Sequence, residues 1–155
     1  MWTPSSKIIV RPTSGQTVDI AIPASANGIR MTCSAKCAGG ADTGIALRIN
    51  GSSTGITYLA SYNNGATVAA TASAAFGIAT NGGSFSANMQ LMTAVGLPRS
   101  GNIQESSLSS AGAIVTRREV TVAFTNTSTV ISSVGIDLDA GMAFAAGSVI
   151  VVEIL

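Results

Sequence analysis

The chain has 155 residues, a length that suits one domain with a full hydrophobic core. Only 10% of the residues are charged and 46% are hydrophobic, which is the opposite of a disordered composition. The net charge is +1, and the Lys and Arg residues are scattered apart from Arg117-Arg118, so they form no basic stripe of the kind that nucleic-acid binding needs. We expect a single domain over 1–155 that does not bind nucleic acid.

Short β-type segments separated by Gly, Asn, Pro and Ser recur along the chain, a pattern typical of an all-β sandwich or barrel. Three segments alternate and place their apolar residues on one face: Val18, Ile20 and Ile22; Val120, Val122 and Phe124; Val134, Ile136 and Leu138. The predicted strands are Lys7–Arg11, Thr17–Ile22, Ile29–Ala35, Gly44–Ile49, Ile56–Ser61, Phe85–Thr93, Ala113–Phe124, Val130–Leu138 and Ser148–Leu155.

Turn residues separate these strands. Asn50-Gly51 predicts a hairpin turn in which both central residues have positive φ. Further turns are predicted at Asn64-Gly65, Asn81-Gly82-Gly83, Asp139–Gly141, Gly147-Ser148 and between Pro98 and Gly101, a turn that would include Arg99. The Ala-, Thr- and Gly-rich segment Ala66–Gly83 is interpreted as a long loop or an irregular strand, and as a natural place for subunit contacts.

The last residues are strongly apolar. Met142–Leu155 is too short for a membrane-spanning helix, which needs about 20 residues, and it contains Glu153. Its β-branched residues instead predict a central strand over Ser148–Leu155, with Ile150, Val152 and Ile154 facing the core. We therefore expect no membrane interaction. The first residues lack a charged region followed by an apolar one, so we also expect no secretory signal.

Residues for catalysis or metal binding are scarce. The sequence has no His, the commonest general base, and no spacing singles out a carboxylate pair. Cys33 and Cys37 would lie about 13 Å apart on a strand, too far for a disulfide, so we expect two free, partly buried thiols. Asp137–Gly141 begins like a calcium loop, but its twelfth position is Ser148 rather than Glu, and outward-facing strand aspartates explain it better. We expect no enzymatic activity, no cofactor and no metal.

So few charges would protect a lone monomer poorly against association, so we expect a homo-oligomer. Arg117 and Arg118 would point to opposite faces of a strand, and one of them is a candidate subunit contact. Trp2 is a second candidate, because Trp is a favoured interface anchor.

Two stretches, Ile22–Tyr58 and Val134–Leu155, carry a resemblance to a known class of proteins. The chain resembles small β-sandwich virion proteins of tailed bacteriophages. The matching residues are Ile22-Pro23-Ala24, Leu47-Arg48-Ile49-Asn50-Gly51, Tyr58, Phe144 and Ala146-Gly147-Ser148. The closing strand departs from the pattern, with Val-Glu-Ile-Leu where Tyr-Gly is common, and about 66–108 shows no match.

The resemblance implies a jelly-roll-like sandwich, commonly trimeric, made in the host cytoplasm and placed on the exterior of the particle. It is compatible with two functions. One is a capsid decoration (cement) protein that contacts the major capsid protein. The other is a module among the tail proteins that binds host surface glycans, for which Tyr58 and Tyr62 could form a sugar platform; ordinary strand packing is the preferred interpretation of these two tyrosines. The absence of a fibre shaft and the few aromatic residues favour decoration.

Overall fold

The computed structural model describes residues 6–63, 66–67, 72–73, 75–97, 99–139 and 141–155, with the backbone alone for 60–63, 66–67 and 72–73. Every regular element within these ranges is a β-strand. The strands are β1 (Ser6–Val10), β2 (Thr17–Ala21), β3 (Gly28–Ala38), β4 (Thr43–Ile49), β5 (Ile56–Asn63), β6 (Ala66–Thr67), β7 (Ala72–Ser73), β8 (Gly77–Ala79), β9 (Ser84–Met92), β10 (Arg99–Leu108), β11 (Ile114–Phe124), β12 (Ser133–Leu138) and β13 (Ala143–Ile154). The described residues contain no helix long and apolar enough to cross a membrane.

The strands form two antiparallel sheets. The large sheet has the order β1-β13-β3-β9-β10-β11-β5, with the two-residue strands β6 and β7 beside β5. The small sheet has the order β2-β12-β4-β8. The apolar sides of the two sheets face each other and enclose one hydrophobic core, so the predicted all-β sandwich is confirmed.

Eight of the strands pair as a nested set. The outermost pair is β1 with β13, followed inward along the chain by β2 with β12, β3 with β9, and β4 with β8. In each further pair the two strands lie closer together along the chain, and the pairs alternate between the large and the small sheet. This nested pairing is the topology of a jelly roll. The remaining strands enter at two points: β5–β7 follow β4, and the β10–β11 hairpin follows β9. Both insertions widen the large sheet beyond the jelly roll.

The core consists of alternate residues of each strand. In β3 the side chains of Ile29, Met31, Cys33, Ala35 and Cys37 are all buried, and the residues that alternate with them from Arg30 onward are exposed. The three predicted alternations are confirmed, because every residue in them is buried or half-buried on the core side. Asn50 and Gly51 have φ of 51° and 74°, so the predicted tight turn is confirmed, and Ile49 pairs with Ser52 across it. The predicted hairpin is wrong, because β4 belongs to the small sheet and β5 to the large sheet.

The final strand is longer than predicted. β13 begins at Ala143 and runs between β1 and β3, with Ile150, Val152 and Ile154 buried as expected. The turn predicted at Gly147-Ser148 is wrong. These residues form a bulge inside β13, where the register to β3 shifts between Ala145 and Val149 and Gly147 takes a φ of 97°.

The turn predicted between Pro98 and Gly101 is also wrong, because Arg99–Leu108 is strand β10. Pro98 itself lies outside the described residues. Gly101 is needed there for a close approach between strands, since a Cβ at this position would overlap the carbonyl oxygen of Gln90 in β9. In Ala66–Gly83, the described parts are the short strands β6, β7 and β8 and the turn at Asn81-Gly82, as the irregular-strand interpretation expects.

Candidate interaction surfaces

The described residues contain no cluster of three or more His, Cys, Asp or Glu that could hold a metal ion. In the predicted calcium-like segment, the Asp137 carboxylate lies 3.7 Å from the Arg48 guanidinium, which also forms a hydrogen-bonded ion pair with Asp19 at 2.9 Å. Asp137 therefore belongs to a surface ion-pair cluster with an arginine at its centre. The surfaces that remain as candidate sites lie on the large sheet and on loops at one end of the sandwich.

The solvent side of the large sheet carries a broad area of uncharged polar side chains, which we call the outer polar face. The strands β3, β9, β10 and β11 run side by side here in continuous register, so that Ser34, Ser86 and Ser106 form one row and Thr32, Asn88 and Gln104 form the next. The outer polar face consists of Thr32, Ser34, Ser86, Asn88, Gln90, Asn102, Gln104, Ser106 and Thr121. Charged side chains lie at its borders, Arg117 and Glu119 on β11 and the Arg30–Glu153 pair toward β13.

Three shallow cavities of about 180, 280 and 290 Å³ lie along β10 on this face. They share their walls: Gln104 and Glu119 border the first and second cavities, and Asn102 and Thr121 border the second and third. Together they form one furrow, which we call the β10 furrow, with β10 as its floor and side chains of β9 and β11 as its walls. Between Ser106 and Ser100 it extends roughly 20 Å, since a strand rises about 3.3 Å per residue.

Behind the furrow, the core side of β10 carries a buried carboxyl group. Glu105 is 2% exposed, and the Thr116 hydroxyl donates to its carboxylate oxygens at 3.1 and 3.2 Å. Ser107 and the backbone N–H of Ile78 also donate to it, and Arg118 lies opposite on β11. Burial raises the pKa of Glu105 above its ordinary value, because removal from water disfavours the charged form more than these donors favour it.

Arg99 opens β10 and is also buried, at 2% exposure. Its Nε donates to the carbonyl oxygen of Ala94 at 3.3 Å, its Nη1 donates to that of Asn126 at 2.8 Å, and its guanidinium lies 5.9 Å from the Phe124 ring centre. Nη2 is buried and has no hydrogen-bond partner among the described residues. Arg99 thus connects the β9–β10 loop to the loop that follows β11, which a hydrogen bond from Gly96 N–H to the Thr127 carbonyl oxygen also joins.

These two loops expose an apolar end of the sandwich. Met92 at the end of β9 and Val95 and Leu97 in the β9–β10 loop are 42%, 51% and 56% exposed, and Val130 in the loop that follows β11 is 41% exposed. We call these four residues the apolar end. No charged side chain other than buried Arg99 occurs in 92–97, 99–100 or 125–132. Exposed apolar side chains grouped on a polar background are typical of protein contact sites.

Two of the predicted contact residues, Arg117 and Arg118, lie on β11, apart from this end. Arg117 is exposed on the outer side of β11 and Arg118 is half-buried on its core side opposite Glu105, so the prediction that they point to opposite faces is confirmed. Trp2 lies outside the described residues. Arg99, predicted to lie in a turn, is instead a buried residue of β10.

Tyr58 is a core residue. It is 1% exposed, its hydroxyl accepts a hydrogen bond from the Leu47 backbone N–H at 2.9 Å, and burial raises its pKa to about 12. This hydrogen bond gives the Leu47 N–H of β4 a partner beyond Ile45, where the pairing of β4 with β8 ends. The strand-packing interpretation of Tyr58 is therefore confirmed; the side chain of Tyr62 lies outside the described residues.

Cys33 and Cys37 are free, as predicted, and both are fully buried rather than partly so. Burial raises their pKa values to about 12 and about 11, so neither thiol forms a reactive thiolate at neutral pH.

Sequence reasoning missed the β10 furrow, because it missed the strand that forms its floor. The inner positions of β10 include Arg99, Glu105 and Ser107, so the apolar alternation of a half-buried strand is absent. The signal that the sequence did offer was weaker: a segment of ten residues free of Pro, with Ile103 near its centre.

Comparisons of the chain with protein-family models, with curated proteins and with solved structures find no match.

Proposed function

We propose that this protein is a bacteriophage virion structural protein, a capsid decoration protein that binds the capsid exterior as a homotrimer. The resemblance of Ile22–Tyr58 and Val134–Leu155 to phage β-sandwich proteins supports the virion assignment. The jelly-roll pairing is compatible with it, since jelly rolls recur in viral capsid domains and also in lectins and cupins.

The apolar end is the single observation that carries the structural role. Val95, Leu97 and Val130 lie on the two loops that the buried Arg99 joins, and Met92 is the last residue of β9, so the surface is presented in one fixed arrangement. Interface cores are depleted of charged residues, and this end has none exposed within the segments that form it. A preorganised apolar surface of this kind suits a contact with the major capsid protein or with a second copy of the chain.

Binding of the purified protein to capsids that lack it tests this proposal. We expect the protein to sediment with the capsids, and the double variant Val95→Ser/Leu97→Ser to bind at least tenfold more weakly. Ile114→Ser is the matched control, because Ile114 is 71% exposed at the other end of the β10–β11 hairpin. A failure to bind capsids, or equal losses in both variants, would contradict the proposal.

A further inference from the structure

We infer that Glu105 makes the attachment of β8 to the large sheet sensitive to pH, so that β8 is held while the carboxyl carries its proton and opens more readily once the carboxyl is ionised. The inference goes beyond the capsid role proposed above, because it concerns a movement within the domain and involves no partner.

The small sheet holds β8 through few bonds. β8 has three residues at the edge of that sheet, so it pairs with β4 alone, at three positions. The N–H of the preceding residue, Phe76, adds one bond to the carbonyl oxygen of Ile45 at 2.8 Å. A short edge element opens locally at a smaller cost in free energy than unfolding of the whole domain. The contacts of β8 with the facing large sheet therefore decide how often it opens.

The Glu105 carboxyl lies directly against the backbone of β8. A Cβ added at Gly77 would come within 2.7 to 2.9 Å of the Cγ, Cδ and Oε1 atoms of Glu105, so this approach depends on a glycine. The backbone N–H of Ile78 donates to the same carboxyl. Glu105 is 2% exposed, so water reaches its carboxyl only when a neighbouring element moves away. Opening of β8 would uncover it.

The surroundings of the carboxyl offer several donors and little opposite charge. The hydroxyls of Thr116 and Ser107 donate to it, and Arg118 of β11 is the charged side chain among the described residues that faces it. β8 and Ala87, the residue of β9 paired with Glu105, bring no charged or titratable side chain. Burial outweighs the donors and Arg118, so it raises the pKa of Glu105 while β8 is closed.

The raised pKa links opening of β8 to pH with a definite sign. Once β8 is open, water reaches the carboxyl and its pKa returns toward the ordinary 4.5. The open form then binds the proton less tightly than the closed form. Opening therefore becomes more favourable as pH rises from about 4.5 through the raised pKa, and changes no further above it.

The residues that follow β8 have anchors that carry no charge. The Thr80 hydroxyl donates to the carbonyl oxygen of Leu108 at 2.8 Å, and the Gly82 N–H donates to that of Cys37 at 3.1 Å. These bonds do not depend on pH in the range where the carboxyl titrates. We therefore expect β8 to open from its Gly77 end while the residues after it stay in place.

Hydrogen exchange of the full chain at pH 5 and pH 8 tests the inference, with each rate expressed as protection relative to an unstructured peptide at the same pH. We expect the protection of the β8 amides to fall about threefold or more from pH 5 to pH 8. Low concentrations of urea should change it little, because a local opening exposes little surface. The chain has no His, the side chain that most often titrates in this range.

Glu105→Gln should abolish the fall in protection, because the amide has no proton to lose in this range. Glu119→Gln is the matched control, since Glu119 is an exposed carboxylate on the outer side of β11, and it should keep the fall. Three results would overturn the inference: equal protection of β8 at both pH values, a fall that persists in Glu105→Gln, or β8 amides as strongly protected as those of β12. The last result would show that β8 opens only when the whole domain unfolds.

Discussion

At the scale of single residues, the most unusual group is the Glu105 carboxyl between the two sheets. Its pKa in the folded protein is raised from the ordinary 4.5 by burial, so the folded state holds its proton to higher pH than the unfolded state does. The free energy of unfolding therefore contains a contribution that falls as pH rises from about 4.5 through the raised pKa, and that stays lost above it.

Glu105→Gln should remove this contribution while keeping the hydrogen-bonding shape of the side chain. We expect the variant to be more stable than the wild type at pH 7, and the difference between them to shrink as the pH falls toward 4.5. Urea unfolding of both proteins across this pH range measures the difference. A variant that is less stable than the wild type at pH 7 would show that the ionised carboxylate stabilises the fold. A difference independent of pH would show that folding does not shift the pKa of Glu105.

Arg99 and Arg117 are matched arginines in opposite environments, 2% exposed on the core side of β10 and exposed on the outer side of β11. Arg99→Ala leaves the Ala94 and Asn126 carbonyl oxygens without their donor and opens a cavity, and we expect it to cost about 3–5 kcal/mol. Arg117→Ala should cost within about 0.5 kcal/mol. Denaturant unfolding of the two variants measures both losses of stability. Similar losses would show that the hydrogen bonds of Arg99 between the two loops do not stabilise the fold.

Neither the burial of Arg99 nor that of Glu105 could be predicted from the sequence. A polar residue in a strand is placed outward unless its partners are known, and the partners of both residues come from distant segments. Arg99 meets the loop after β11, and Glu105 meets Thr116 of β11 and Ile78 of β8. Such contacts depend on tertiary structure that local patterns do not contain.

At the scale of elements, β13 contributes much of the stability of the fold. It pairs with β1 on one side and with β3 on the other, and Ile150 and Val152 are fully buried. Deleting Val151–Leu155 removes the buried side chains of Val152 and Ile154 and four of the five residues that pair with β1. Truncating even one buried Ile costs roughly 2–5 kcal/mol. A domain of typical stability, about 5–15 kcal/mol, should not survive the deletion.

Glu153→Gln is the control for this deletion, because it changes the same strand without removing core side chains. Its carboxylate lies 3.5 Å from the Arg30 guanidinium on the surface, and an exposed pair contributes about 1 kcal/mol or less. Solubility and circular dichroism melting of the two variants make the comparison. A soluble deletion variant with a wild-type melting curve would show that the end of β13 is not part of the core.

The elements that the sequence predicted share a clear apolar alternation, as in Val134, Ile136 and Leu138 of β12. The elements that it missed lack one. β10 has polar inner positions, and β8 has three residues, too few for a pattern. The extension of β13 back to Ala143 was hidden by Gly147, a turn residue that serves here as a bulge.

At the scale of the whole molecule, the sandwich follows from antiparallel strands with one apolar face each, but the jelly-roll pairing does not. The nested contacts join residues far apart in sequence, such as Ser6 with Ile154. Apolar alternation predicts which face of a strand is buried, but it does not predict which strands pair with that strand. Only the resemblance to phage proteins pointed to this topology beforehand.

The proposed assembly is a trimer. Sedimentation velocity at micromolar concentration should give a single species of three times the monomer mass of 15.4 kDa. The variant Val95→Ser/Leu97→Ser distinguishes whether the apolar end holds the copies together or holds them to the capsid. A monomer in solution and on the particle would exclude the trimer.

Imaging of the intact phage particle by cryo-electron microscopy, with antibody against this protein as a label, tests the central proposal most directly. We predict threefold clusters of the protein on the outer surface of the capsid, with the apolar end toward the shell and the outer polar face toward solution. Label confined to the tail, or a particle without the protein, would contradict the assignment as a capsid decoration protein.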